Sequence, residues 1–475
     1  MSAALSRYAQ AAVASWLLLA SGATALAASV SVKLPTVQRA ELPNGAQLAL
    51  VEKRDTPLVA MTVTVRGGAL GDPPGKEGTA SLFADLIQKG AGGRDAAQFA
   101  EAVENAGGML AAAAGSESLS LNASFMARDV DLMLELVGDA LQRPTLAASE
   151  FEKSRTLAIQ SIAAAKDSDP RVLIASYGDA WLFRDHPYGR PVGGSEASLA
   201  VVTLDDVRRF YESQVGGDRT IITVVGDIDA AAMRAKLERA FGGWRKAGAT
   251  LPSAAAPQQV KGRRVLIVDK PGATQTYFWL GNVGASRTDP ARTQQSVVNT
   301  AFGGRYTSML NSALRIDSGL TYGASATFDR GLQPGAYAIA SYTQTESTVQ
   351  AIDLALVTLE KLRKGALDAN TLASSRSYLL GQFPPTLETN GQIAARLADL
   401  AFYGLGIDDV EGYAQRVAAV DAAAVRQAID QAFPTGDDLA IVLIGDAGKI
   451  REQVRKYGPV TEMKITDPHF APPPS

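Results

Sequence analysis

Apolar and polar residues alternate strictly from Ser118 to Phe125. Leu119, Leu121, Ala123 and Phe125 fall on one side, and Ser118, Ser120, Asn122 and Ser124 on the other. A period of two predicts a half-buried antiparallel strand. Two more strands are expected at Gln47 to Val51, which follows the turn dipeptide Asn44-Gly45, and at Leu58 to Val65, rich in β-branched residues. After the Gly/Pro-rich connection Gly67 to Gly78 the period lengthens. A helix is predicted from about Thr79 to Lys89, stopped by Gly90. Val130, Met133, Leu134, Val137 and Leu141 recur at helical spacing, and helical patterning continues from Ala148 to about Ala165. Strands and helices mixed in this order predict an α+β fold.

The pattern occurs twice. Leu50-Val51-Glu52-Lys53 matches Ile267-Val268-Asp269-Lys270, and Asp72-Pro73 matches Asp289-Pro290, each pair 217 residues apart. Ile221 to Asp227 matches Ala440 to Asp446 at a spacing of 219. Three matches in order at nearly one spacing predict a duplicated domain. The expected organisation is a signal peptide at 1–27, one domain at 35–245, a linker at 246–260, a second domain at 261–465 and a loose, Pro-rich tail at 466–475. Each domain is expected to be an antiparallel sheet packed with helices.

Composition narrows the function. Of 475 residues, 46% are apolar and 20% charged, a globular profile with no need of covalent staples. Arg7, the apolar run Ala11 to Ala20 and Ala25-Leu26-Ala27 have the order of a cleaved secretory signal. A periplasmic location is therefore expected. The chain has no cysteine, which excludes disulfides and thiolate metal sites. The net charge of −3, without a basic block, argues against a nucleic-acid partner.

Familiar catalytic motifs are missing. The chain has two histidines, His186 and His469, and neither an H-E-x-x-H nor an H-x-x-E-H pair. Gly71 to Glu77 is one residue short of a phosphate loop and ends on Glu where Ser or Thr would hold magnesium. His186, alone in a Pro/Gly-rich loop, is read as a packing residue. His469 carries no signal.

Gly78-Thr79-Ala80-Ser81-Leu82-Phe83-Ala84-Asp85-Leu86-Ile87-Gln88-Lys89-Gly90 resembles the metal-site helix of the pitrilysin, insulinase and mitochondrial-processing-peptidase proteases, the inverted zincins. Lys166 to Pro170, His186 to Pro191 and Arg315 to Tyr322 also resemble family segments, so the similarity spans nearly the whole mature chain. The resemblance implies two homologous domains forming half of a clamshell around a peptide. In the family motif two histidines at i and i+4 bind zinc, and a glutamate between them is the general base. Here Ser81 stands for the first histidine, Ala84 for the glutamate and Asp85 for the second histidine. The third ligand, a glutamate on a later helix, corresponds to Gln160 or Ser161. Catalytic zinc needs about three protein ligands, so no cofactor is expected on this chain.

Leu314-Arg315-Ile316-Asp317-Ser318-Gly319-Leu320-Thr321-Tyr322 resembles the family's Leu-Arg-x-x-x-Gly-Leu-x-Tyr segment. The resemblance implies that Arg315 and Tyr322 reach the substrate carbonyl, where a cation and a hydroxyl would stabilise developing negative charge. In some bacterial members the zinc helix and this pair lie on different chains. The expected function is therefore that of a non-catalytic subunit. Its partner would be a homologous H-x-x-E-H peptidase carrying the zinc, and its substrate an unfolded peptide. Two alternatives stay open: a peptide-binding scaffold without a catalytic role, and an enzyme of unrelated chemistry, for which no nucleophile–base pair is visible.

Overall fold

The computed structural model describes residues 32–365 and 367–472. The expected signal segment lies outside the described residues. Strands β1 (Gln38–Glu41), β2 (Gln47–Glu52), β3 (Leu58–Arg66), β4 (Met109–Ala114), β5 (Ser118–Met126) and β6 (Thr220–Gly226) form one sheet in the order β1-β2-β6-β3-β5-β4. Strands β7 (Arg263–Asp269), β8 (Gln275–Val283), β9 (Ala324–Arg330), β10 (Pro334–Gln344), β11 (Leu439–Gly445) and β12 (Val460–Lys464) form a second, in the order β12-β7-β11-β8-β10-β9. The fold is α+β, but the sheets are mixed rather than antiparallel. β2 runs parallel to β6, and β7 parallel to both β11 and β12. No hairpin joins β2 to β6 or β7 to β11; long helical crossovers do, and these permit parallel pairing.

The duplication is visible in register. Leu50 pairs with Val224, and Ile267 pairs with Leu443. These are the positions related by the spacings of 217 and 219. β6 and β11 are buried at every residue, as continuous apolar strands covered on both faces must be.

Their second cover comes from the opposite domain. Helix α1 (Thr79–Leu86), α2 (Val130–Gln142) and α3 (Ala148–Ser168) belong to the first domain and surround its core at Phe83, Phe99, Phe125 and Phe241. The next helix, α4 (Ile174–Phe183), crosses over and lies on β8 and β11 of the second sheet. In return α5 (Asn390–Tyr403), from the second domain, lies on β3 and β6 of the first. The two sheets thus sandwich a middle layer of exchanged helices.

An arginine of the receiving sheet closes the C-terminal end of each exchanged helix. Arg66 donates to the carbonyls of Phe402 at 2.7 Å and Ala401 at 2.9 Å, and its guanidinium lies over the Phe402 ring. Arg264 does the same for Trp181 and Leu182, at 2.8 and 3.0 Å. Cationic donors at a helix C-terminus satisfy its free carbonyls and oppose its dipole. These bonds fix each helix to the domain that it crosses into.

Chain segments read as connections are also tied down. The linker carbonyl of Ala255 takes a bond from His186 Nε2 at 2.8 Å. The tail is not loose up to Ala471. Lys166 donates to the Asp467 carbonyl at 2.6 Å, Ala197 N–H donates to Pro468, and Phe470 is only 5% exposed, packed edge-on against Tyr177. One aromatic ring with a pocket to fill outweighs the prolines around it.

Candidate functional site

Helix α1 starts from a built cap. Gly78 sits at φ 98°, and a Cβ there would press on Leu199 and the Gly194 backbone. The Asp72 carboxylate accepts from Gly78 N–H at 2.8 Å and Ala80 N–H at 2.7 Å. Burial pushes the Asp72 carboxyl up to about 7 against the pull of those amides. A carboxyl whose folded pKa is raised binds more protons folded than unfolded. Its contribution is complete below about pH 4 and fades as pH rises through about 7. The urea midpoint should therefore fall between pH 5 and 8, and fall less in Asp72→Asn.

The helix face that the resemblance assigns to metal holds no comparable group. Ser81 is half-buried. Ala84 is 2% exposed, its methyl inside the core, and its carbonyl accepts from Gln88, which also bonds Ala112 O on β4. Asp85 is paired with Lys89 at 2.8 Å, one turn on, and Lys89 donates to Ser154 Oγ on α3 at 2.9 Å. Gln160 and Ser161 are exposed on α3, whose inward face carries Phe151 and Ser154 instead. The structure therefore pairs Asp85 with Lys89, which also reaches Ser154, and not with Gln160 or Ser161. Among the described residues no three His, Cys, Asp or Glu side chains converge. A hydroxyl, a methyl and a carboxylate held by an ammonium do not fit zinc.

Arg315 and Tyr322 are brought together. Arg315 lies on a π-helical turn, Ser312–Asp317, a distortion that often re-aims side chains at functional sites. Leu320 and Thr321 N–H return to the Leu314 carbonyl, and Gly319 makes the turn at φ 64°. The next segment is stapled from below: Ser341 Oγ bonds Thr321 Oγ1 at 3.0 Å and the Gly323 carbonyl at 2.8 Å. This leaves Tyr322 facing outward, 76% exposed. Arg315 Nη1 donates to the Tyr322 carbonyl at 2.7 Å, and its guanidinium lies 4.8 Å from the Tyr306 ring. Sequence reading missed Tyr306, because a ring nine residues away in the chain gives no periodic signal. Two sheet edges run beside these segments: β4 next to α1, and β9 next to Met309–Asn311, which leads into the π turn.

Two family models match the chain. One, described as insulinase (peptidase family M16), covers residues 47–196; the other, described as peptidase M16 inactive domain, covers residues 202–379. The chain belongs to peptidase family M16. A protein named an uncharacterized zinc protease of Mycobacterium tuberculosis is 27% identical over 365 residues, covering 76% of this chain and 82% of that protein. A probable mitochondrial-processing peptidase β subunit of Arabidopsis thaliana is 22% identical over 427 residues, covering 86% and 78%. In fold, the chain is similar to a peptidase M16 inactive domain from Pseudomonas fluorescens, with a TM-score of 0.81, 21% identity and coverage of 86% of this chain and 98% of that one. A protease from Helicobacter pylori gives a TM-score of 0.78 at 19% identity, covering 86% and 100%.

The remaining marked residues of this M16 chain, His469 apart, have structural partners. His186 accepts from Tyr188 N–H at Nδ1 and meets Ala255 O at Nε2, so both ring nitrogens serve the backbone. His469 is exposed. Lys76, in the loop that loosely resembles a phosphate cradle, is paired with buried Asp206 at 2.6 Å. Glu117, in the β4–β5 turn, is 8% exposed and is one of the residues that join the domains. It accepts from the Tyr188 hydroxyl and from Leu332 N–H at 2.8 Å, while Gln333 N–H donates to the same hydroxyl at 2.9 Å. Burial, then the bond to Glu117, pushes the Tyr188 hydroxyl well above its ordinary range.

Proposed function

We propose that this M16 chain is the non-catalytic subunit of a heterodimeric zinc peptidase in the periplasm. The homologous partner brings the H-x-x-E-H helix and its zinc. This chain brings Arg315 and Tyr322 to the carbonyl of an unfolded peptide substrate. The observation that carries the reading is a contrast. The metal-site helix is tied up through Asp85, Lys89 and Ser154 of α3, whereas Arg315 holds the Tyr322 backbone and leaves the Tyr322 side chain exposed. A cation and a hydroxyl so placed match the charge that develops on a carbonyl oxygen under attack.

The test is to co-express the chain with an H-x-x-E-H homologue of similar length, purify the complex and follow cleavage of an unstructured fluorogenic peptide. The pair should cleave the peptide faster than the homologue alone. Arg315→Ala should remove about 10²-fold of the rate with the complex intact, as loss of one oxyanion donor typically does. A complex in which Arg315→Ala cleaves like the parent would refute the assignment. The free β4 edge, with Met109 exposed, favours a second reading in which the chain only holds peptide by strand addition. That reading expects peptide affinity unaffected by Arg315→Ala and Tyr322→Phe, and no gain in cleavage.

A further inference from the structure

Arg315 is half-buried, although Ile316 to Gly319, which follow it on the same turn, are all exposed. Two contacts among the described residues hold it: the Tyr322 carbonyl at Nη1 and the ring of Tyr306 beside the guanidinium. Neither is a carboxylate. An arginine bound to an acid gives its charge and its donors to that partner. One held by a carbonyl and a ring keeps its charge and spends one of five N–H donors. The ring takes none, because an aromatic face attracts the cation as a whole.

The ring is itself set in place. Tyr306 lies in the turn between the helix Arg292–Phe302 and the short helix Met309–Asn311, and the turn is anchored on both sides of it. Before it, the Gly303 and Gly304 N–H groups both donate to the Asn299 carbonyl, at 2.8 and 2.7 Å. A Cβ on Gly303 would meet Ala326 at 2.6 Å, so this glycine lets the turn lie against β9. Arg305 donates to Ser374 Oγ at 2.7 Å, and its carbonyl accepts from Ser308 N–H at 3.1 Å. After it, Ser308 is fully buried, and its hydroxyl caps Met309–Asn311 by accepting from Asn311 N–H. Between these anchors Tyr306 stays 58% exposed, 4.8 Å from the Arg315 guanidinium. The turn thus presents a ring to the arginine instead of burying it.

Resting on the subunit reading above, we propose that Tyr306 is a positioning residue, whose ring holds the Arg315 guanidinium toward the substrate carbonyl without neutralising it. A donor that must first be ordered stabilises developing charge less than one already in place. A carboxylate could order Arg315 as well, but it would compete with the oxyanion for the same N–H groups. The Tyr306 hydroxyl has no part in this; the face of the ring does the holding.

The complex with the H-x-x-E-H homologue and the chain by itself test this together. In the complex, Tyr306→Leu should lower kcat about fivefold at unchanged KM, and Tyr306→Phe should stay within about twofold of the parent. In an Arg315→Ala background Tyr306→Leu should cost nothing further, because the group that it positions is gone. In the isolated, arginine-labelled chain, the Arg315 side-chain resonances are assigned by their loss in Arg315→Ala. They should lie upfield beside the ring in the parent and in Tyr306→Phe, and return to ordinary positions in Tyr306→Leu. The ring is exposed, so these variants should fold, and an unchanged melting temperature checks it. A loss in Tyr306→Phe as large as in Tyr306→Leu would overturn the proposal. So would a Tyr306→Leu complex with the parent's kcat, an equal loss in both backgrounds, or Arg315 resonances indifferent to Tyr306. An Arg315→Ala complex as fast as the parent would instead sink the subunit reading, with upfield resonances still supporting Tyr306 as the group that orders Arg315.

Discussion

Replacing Glu117 with alanine is expected to destabilise the chain by about 4 kcal/mol, a large loss for a single polar truncation. Hydrogen bonds to a charged acceptor contribute about 1.5–3 kcal/mol each, and the truncation strands buried donors as well. The Tyr188 hydroxyl and the Leu332 amide would both lose their acceptor. Those donors come from different domains: Tyr188 follows α4, and Leu332 lies in the β9–β10 turn. The damage should therefore show as lost coupling. Urea unfolding, followed by tryptophan fluorescence and by circular dichroism, should coincide in the parent and separate in Glu117→Ala. Glu117→Gln, which keeps one acceptor oxygen, should fall between. A variant within about 1 kcal/mol of the parent, with coincident transitions, would mean that water replaces the carboxylate without loss.

Much of this fold is legible in the chain. The alternation through Ser118 to Phe125 assigns the strand and both its faces, and the polar face proves to line an interdomain cavity. The repeats at Leu50 and Val224 mark paired strands in both domains. Helix α1 could be located because its apolar spacing and glycine boundaries are local. The groups it lacks could be read from single positions. What escaped is non-local. Parallel pairing of β2 with β6 depends on where helices carry the chain, which no window of sequence contains. Glu117, between Ser116 and Ser118 after a glycine, has the look of any solvated turn. Phe470 is surrounded by Pro468 and Pro472, so composition spoke for a tail while one ring decided the packing. The exchange of α4 and α5 was invisible because an amphipathic pattern says that a helix is covered, not by which domain.

That exchange explains how the architecture stands independently of the residues at Ser81, Ala84 and Asp85. The sheets are held together by Arg66, Arg264, Glu117 and the buried middle layer, none of which depends on Ser81, Ala84 or Asp85. The surface around Arg315 is fixed from within its own domain, through Leu314, Thr321 and Ser341. Substitution on α1 therefore leaves the presentation of Arg315 and Tyr322 intact.

Gly178→Val should cost about 3 kcal/mol or more and loosen the same interface from the apolar side. In an exposed helix, replacing glycine with a residue that has a Cβ usually stabilises, by up to about 1 kcal/mol for alanine. Here the sign reverses. A Cβ on Gly178 would meet the Trp279 ring at 2.6 Å, well inside contact distance, and Trp279 is buried in β8. Neither partner has an easy escape. Gly178 is mid-helix on α4, and the Trp279 ring also packs over Gly281, whose own Cβ would meet it at 2.3 Å. The ring thus fills the space that two glycines leave, one on each domain's contribution to the interface. Valine adds two methyl groups beyond the Cβ, so α4 must lift from β8 and β11, and the Arg264 bonds to Trp181 and Leu182 stretch with it. Gly178→Ala should show the same sign at smaller size. The specific mechanism is tested by pairing each change with Trp279→Leu, which opens the space. If the clash is the cause, the double variant loses less than the sum of the two single losses by at least about 1 kcal/mol. Strict additivity, or a Gly178→Ala protein more stable than the parent, would show that α4 is not seated as tightly on the second sheet as described.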